Sequence, residues 1–169
     1  MKLKTIETIF RALNREDVRY LIAGGLAVVA HGYVRFTADI DLILDMEEKN
    51  LKKAIKAFDL LGYRPRPPVE LKDFIYPEKR SVWIKEKGLT VFSLWNPDHP
   101  ATEIDIFVES PVIFKKAYAS GISFEIAEGV KATVLGVNDL ISIKKNTGRA
   151  KDLDDIEKLT ALIEGNKND

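Results

Sequence analysis

Leu3, Ile6, Ile9, Phe10 and Leu13 recur at helical spacing, so the chain opens on an amphipathic helix. The apolar run Tyr20-Leu21-Ile22-Ala23 predicts a strand that Gly24-Gly25 brings to a turn, with a helix resuming over residues 26–30. Apolar and acidic residues alternate through Asp39-Ile40-Asp41-Leu42, the pattern of a strand running over 39–44. Residues 47–61 read as a helix stopped by Gly62. Four of the seven prolines fall within residues 64–77, which predicts a loop there. A short helix over 80–87 follows, then strands over 90–95 and 102–109 joined by the turn-rich Asn96-Pro97-Asp98-His99-Pro100. A helix over 111–119, a hairpin of strands 124–126 and 131–134 around Gly129, and helices over 137–146 and 151–163 complete the chain. The order predicts an α+β fold in which a mixed β-sheet is flanked by helices and followed by a helical C-terminal part. A single domain over 1–169 is expected, with its core in about 1–135 and the C-terminal helices in about 136–165.

Composition narrows the chemistry. Of 169 residues, 46% are hydrophobic, enough for an ordinary core. The 26 basic and 26 acidic residues cancel, so no global field draws in nucleic acid or a membrane surface. The chain has no cysteine, which excludes disulfides, thiolate catalysis and cysteine zinc sites. It shows neither a signal-peptide segment nor an apolar run long enough to span a bilayer, so a cytoplasmic location with no membrane partner is expected.

Side chains at i and i+2 of a strand share a face, so Asp39 and Asp41 project together while Ile40 and Leu42 turn the other way. Two neighbouring carboxylates repel and raise each other's pKa; a divalent cation removes the conflict, and Mg²⁺ favours carboxylate oxygens together with substrate phosphates. Thr102-Glu103-Ile104-Asp105-Ile106-Phe107-Val108 repeats the alternation. If its strand lies beside the first, Asp105 completes a three-carboxylate site able to hold one or two metals for in-line displacement at phosphorus. Gly24-Gly25 ends one strand and opens a helix, where backbone can approach a phosphate closely. Taken alone, each of these features has an ordinary explanation, a wet strand face or a tight turn. Together they describe a cleft where phosphate and metal meet.

The segment Gly24-Gly25-Leu26-Ala27-Val28-Val29-Ala30-His31-Gly32-Tyr33-Val34-Arg35-Phe36-Thr37-Ala38-Asp39-Ile40-Asp41-Leu42 resembles the defining motif of the polymerase-beta-like nucleotidyltransferase superfamily. It is most similar to the AbiEii-like branch, which includes toxins of toxin–antitoxin pairs, and it also resembles lincosamide-type antibiotic nucleotidyltransferases. The resemblance implies transfer of a nucleotidyl group from a nucleoside triphosphate to an RNA, protein or small-molecule acceptor, with Mg²⁺ (or Mn²⁺) as cofactor and a cognate antitoxin as a candidate partner. By the same match Asp39 and Asp41 are metal ligands, Asp105 is the third carboxylate that assists deprotonation of the acceptor, and Gly24 and Gly25 form the phosphate-binding turn. Many members carry Gly-Ser at that turn, and this chain has Gly25 in place of the serine.

The stretch from Asp139 to Asp155 resembles the C-terminal helices of AbiEii-like members, which implies that Lys144 reaches the triphosphate, with Arg149 and Lys151 adding to a positive wall. A mobile ammonium suits a phosphate as a point charge. Asp152 and Asp155 lie one helical turn apart, placed to orient Lys144 or Arg149. The competing reading is a solvated helix pair with surface ion pairs. His31 is expected to make a structural hydrogen bond behind the turn, His99 to be exposed, and Arg35 with Thr37 either to brace the loop before Asp39 or to neutralise the carboxylate cluster. Trp83, Phe92 and Trp95 are expected in the packed core rather than as a base-stacking platform. A catalytically silent nucleotide-binding or interaction module is the alternative to an active enzyme.

Overall fold

The computed structural model describes residues 2–165. Its elements run α1 (Leu3–Arg15), β1 (Tyr20–Ile22), α2 (Gly24–Ala30), β2 (Asp39–Leu44), α3 (Glu48–Leu60), β3 (Arg64–Pro65), a 3-10 turn (Leu71–Ile75), α4 (Pro77–Lys87), β4 (Val91–Trp95), β5 (Glu103–Phe107), α5 (Phe114–Ala119), β6 (Ile122–Ala127), β7 (Val130–Val134), α6 (Val137–Thr147) and α7 (Ala150–Gly165). The strands form one seven-stranded sheet in the order β3-β4-β5-β2-β1-β7-β6. β2 runs parallel to β5 and β1 parallel to β7, and the other pairings are antiparallel. The sheet is therefore mixed and the fold is α+β.

Strand alternation decides which side of the sheet does what. Ile40, Leu42, Ile104 and Ile106 are fully buried, whereas Asp39, Asp41, Glu103 and Asp105 are half-buried on the opposite face. The buried face joins a core containing Ile9, Phe10 and Leu13 of α1 and Leu51, Ala54 and Phe58 of α3. Leu140 and Ile141 of α6 and Leu159 of α7 enter the same cluster, so the C-terminal helices pack on the sheet's own core. Trp83 stacks on Phe92 at 5.1 Å between ring centroids, and both are buried. Trp95 is half-buried under the Arg66 guanidinium, 5.2 Å from its ring centroid.

Several boundaries differ from the sequence expectation. The stretch read as a loop over 64–77 contains β3 and the 3-10 turn, because Pro65 needs no N–H on an edge strand while Phe74 and Ile75 are drawn into the core. α4 starts at Pro77, three residues earlier than expected, since proline is well suited to the first helical position. α5 starts later, at Phe114, and α2 starts at Gly24 itself.

Leu42 is fully enclosed in the central strand β2, so Leu42→Ala removes buried surface and leaves a cavity. We expect a loss of about 2–5 kcal/mol in urea unfolding, with an unchanged urea m-value.

Candidate active site

The parallel pairing of β2 and β5 places Asp41 directly opposite Asp105 and Asp39 opposite Glu103. Antiparallel β4 extends the row, with Ser93 opposite Asp105. At the other side of β2, the turn after β1 brings Gly24 against Asp41. Gly24 has φ +58°, and a Cβ there would lie 1.8 Å from Asp41 Oδ2, so only glycine fits. Asp39, Asp41, Asp105 and the Gly24-Gly25 turn open onto a cleft of about 300 Å³, with Lys144, Arg149 and Lys151 on its other wall. A larger open hollow of about 740 Å³ over β3, running from Asp59 to Asp73, touches none of them.

The electrostatics follow from that register. The pKa of the Asp41 carboxyl is raised to about 6, by burial first and then by Asp105 and Asp39, against the opposing pull of Lys144 and the Gly25 backbone. Asp105 is also raised, by burial first and then by Asp39 and Glu103, while a hydrogen bond from Ser93 and the charge of Arg149 oppose the rise. Among the described residues no three acidic or imidazole side chains are gathered as a ready metal cluster. The donor set nevertheless fits a hard divalent cation: three carboxylates, oxygen only, with two of them destabilised in their charged form.

The positive wall is built from α6 and α7. Lys144 is only 4% exposed, and its Nζ donates to Asp155 Oδ2 at 2.7 Å and to Asp152 Oδ1 at 3.3 Å. Both carboxylates are buried as well, at 1% and 2% exposure. Asp155 also accepts from the Arg35 guanidinium, while Asp152 Oδ2 accepts from Arg149 Nε at 2.8 Å and Thr147 Oγ1 at 2.7 Å. Burial alone would raise Asp152, but the bonds from Arg149 and Thr147 and the charge of Lys144 outweigh it and hold its pKa at about 2. The network ties the C-terminal helix to the loop before β2 and to the cleft.

A family model described as "nucleotidyltransferase of unknown function (DUF6036)" matches residues 1–165. The chain belongs to this nucleotidyltransferase family. Among solved structures it is similar to the lincomycin-bound lincosamide antibiotic adenylyltransferase LnuA, with a TM-score of 0.63 and 16% identity over 94% of this chain and 96% of that one. At that identity the likeness is one of fold. Among curated proteins, none matches the sequence. The DUF6036 membership places the chain among nucleotidyltransferases and does not extend to the narrower AbiEii-like branch.

The structure of this DUF6036 chain brings Gly24, Gly25, Asp39, Asp41, Asp105, Lys144, Arg149 and Lys151 to one cleft. Lys144 departs from the picture of a free ammonium, since it is clamped between two aspartates; Arg149 and Lys151 are exposed at the rim. His31 makes the expected structural bond, with Nε2 2.9 Å from the Leu135 carbonyl oxygen. His99 is half-buried rather than exposed, because its ring packs toward α1 with Nδ1 3.4 Å from Thr5 Oγ1. Ser93 escaped notice in the sequence. The alternation Val91-Ser93-Trp95 was its one signal, and only strand order shows that Ser93 meets Asp105. No helix among the described residues is long and apolar enough to cross a membrane.

Two outcomes follow. The folded-state pKa of Asp41 lies above its unfolded value, so the folded protein binds the extra proton between about pH 4 and 6 and loses stability as pH rises through that window. Metal-free thermal melts should show that loss, of order 1–3 kcal/mol, and Asp41→Asn should remove it. Asp155→Ala leaves Lys144 and Arg35 short of a buried partner, and denaturant unfolding should register a loss of about 2–5 kcal/mol.

Proposed function

We propose that this chain transfers a nucleoside monophosphate from a Mg²⁺-bound nucleoside triphosphate to a hydroxyl group of a small-molecule acceptor. The observation that carries the reading is the pairing of Asp41 with Asp105 across β2 and β5, with Asp39 two residues along and Gly24 pressed against Asp41. When bound, a divalent cation supplies charge neutralisation at the transferring phosphoryl group. Asp39, Asp41 and Asp105 are the residues that hold it, and Mn²⁺ fits the same oxygen set. The backbone at Gly24 and Gly25 lies alongside the phosphates. Arg149 and Lys151 face them from the rim, and Lys144 adds positive potential from behind. The acceptor oxygen attacks the α-phosphorus in line, the bond to the β-phosphate oxygen breaks, and pyrophosphate leaves. The proton of the acceptor hydroxyl passes to the Asp105 carboxylate, which stands opposite Asp41 on the neighbouring strand.

A small-molecule acceptor is favoured by two things. The zero net charge offers a polyanion such as RNA no general attraction, and the fold resembles that of an adenylyltransferase solved with lincomycin. A toxin–antitoxin role with a cognate antitoxin and the AbiEii-like placement rest on the sequence resemblance alone. The silent-module reading draws support from Gly25, which stands where many members of the superfamily the chain resembles carry a serine.

The test is nucleotidyl transfer from each labelled NTP with Mg²⁺ or Mn²⁺, offering hydroxylated small molecules, total RNA and lysate proteins as acceptors. We expect label on the small-molecule fraction. Asp41→Asn and Asp105→Asn should each lower turnover by about three orders of magnitude or more while the thermal melt stays cooperative. Label on RNA or protein would reassign the acceptor. An Asp41→Asn variant as fast as the parent removes the carboxylates from the mechanism. A parent that binds Mg²⁺–NTP without transferring it is the silent module.

A further inference from the structure

The turn at Gly24-Gly25 is crowded from one side by a single residue. A Cβ built on Gly25 would lie 2.6 Å from Thr37 Oγ1 and 2.9 Å from Thr37 Cβ, with Arg35 Cζ at 3.4 Å. The first two distances are closer than packed atoms approach, so the space where a side chain at position 25 would begin is already filled by the threonine. Thr37 has little freedom to leave. Its β-branched side chain is stiff at χ1, and Arg35, two residues before it, is tethered to Asp155. Its hydroxyl is half-buried and lines the same cleft as the three aspartates, Lys144 and Arg149. The hydroxyl donates to the Asp39 carbonyl oxygen over 3.2 Å, a long O–H···O contact against the usual ~2.7–2.8 Å, so its proton is weakly committed.

We propose that Thr37 Oγ1 donates a hydrogen bond to a phosphate oxygen of the bound nucleoside triphosphate, supplying from the loop before β2 a hydroxyl that the glycine turn itself lacks. The inference rests on the nucleotidyl-transfer reading and sharpens it. Gly25 and Thr37 form one device, because position 25 must stay without a side chain for as long as Thr37 stands against it. The hydroxyl contributes a donor without adding charge, where Gly25 has no side chain to offer one. No proton is transferred, so the contribution is to binding and orientation of the triphosphate.

The test compares Thr37→Val, which keeps the shape and removes the donor, with Thr37→Ser, which keeps the donor. Binding is read by calorimetry with Mg²⁺ complexes of non-hydrolysable analogues of the four NTPs, and transfer by KM and kcat. A lost hydrogen bond to a charged oxygen weakens binding on the order of ten- to a hundredfold. Thr37→Val should show that loss in Kd and in KM for NTP with kcat within a few fold, and Thr37→Ser should bind like the parent. The swap Gly25→Ser with Thr37→Gly moves the hydroxyl across the gap and abolishes the bond to Asp39. It should bind NTP more tightly than Thr37→Gly alone, which a merely structural role for Thr37 does not predict. Gly25→Ser by itself should lower the melting temperature. If the swap does not fold, the Val and Ser variants still decide. Parental binding by Thr37→Val overturns the assignment and leaves the proposed function standing. A parent that neither binds nor transfers any NTP overturns both.

Discussion

Everything at the candidate site depends on one costly arrangement, the side-by-side placement of Asp41 and Asp105 on adjacent parallel strands. Two like charges, half removed from water, oppose folding. Groups beside the two carboxylates, Gly25 at Asp41 and Ser93 across the ladder from Asp105, oppose the resulting rise in their pKa without cancelling it. The arrangement is held because the reverse faces of β2 and β5 carry Ile40, Leu42, Ile104 and Ile106, all fully buried. A slip of one residue in the register of either strand would turn those isoleucines and leucines to solvent and bury the acids. The core and the site are thus two faces of one constraint.

The cationic side of the cleft is organised differently. Its charges are compensated within the chain before any phosphate arrives: Lys144 by Asp152 and Asp155, Arg35 by Asp155, and Arg149 by Asp152. A buried ion cluster of this kind adds little net stability compared with apolar packing, but breaking it is expensive. Its consequence is geometric. α7 reaches back to the loop that precedes β2, so the loop carrying Arg35 and Thr37 is held in place from the far end of the sequence. Acid in one sheet and base on two helices then face each other across a narrow gap, a layout suited to a polyanion carrying a divalent cation.

Read along the chain, the strand pair carrying the aspartates, the glycine turn and the helical C-terminal part were all legible. The reason is local: alternation of apolar and acidic residues with period two needs only the strand itself to decide which side chains share a face. Asp39, Asp41 and Asp105 could be singled out for that reason. Segments whose conformation depends on distant partners were not legible. The proline-rich stretch over 64–77 became an edge strand and a 3-10 turn because β4 lay open beside it and because Phe74 and Ile75 had a core to enter. His99 was drawn in by α1 in the same way.

By itself the sequence determined the α+β class, carried the resemblance to nucleotidyltransferases and singled out the residues proposed to bind metal and phosphate, since these rest on residue types, short spacings and a recognisable motif. Only the tertiary structure decided how those residues are coupled. That Lys144 is clamped rather than free, that Ser93 meets Asp105, and that Thr37 occupies the space beside Gly25 all depend on strand order and helix docking between segments far apart in the chain. Contacts of that kind leave no period in the sequence, because each partner is an ordinary residue until packing places the other within a few ångströms.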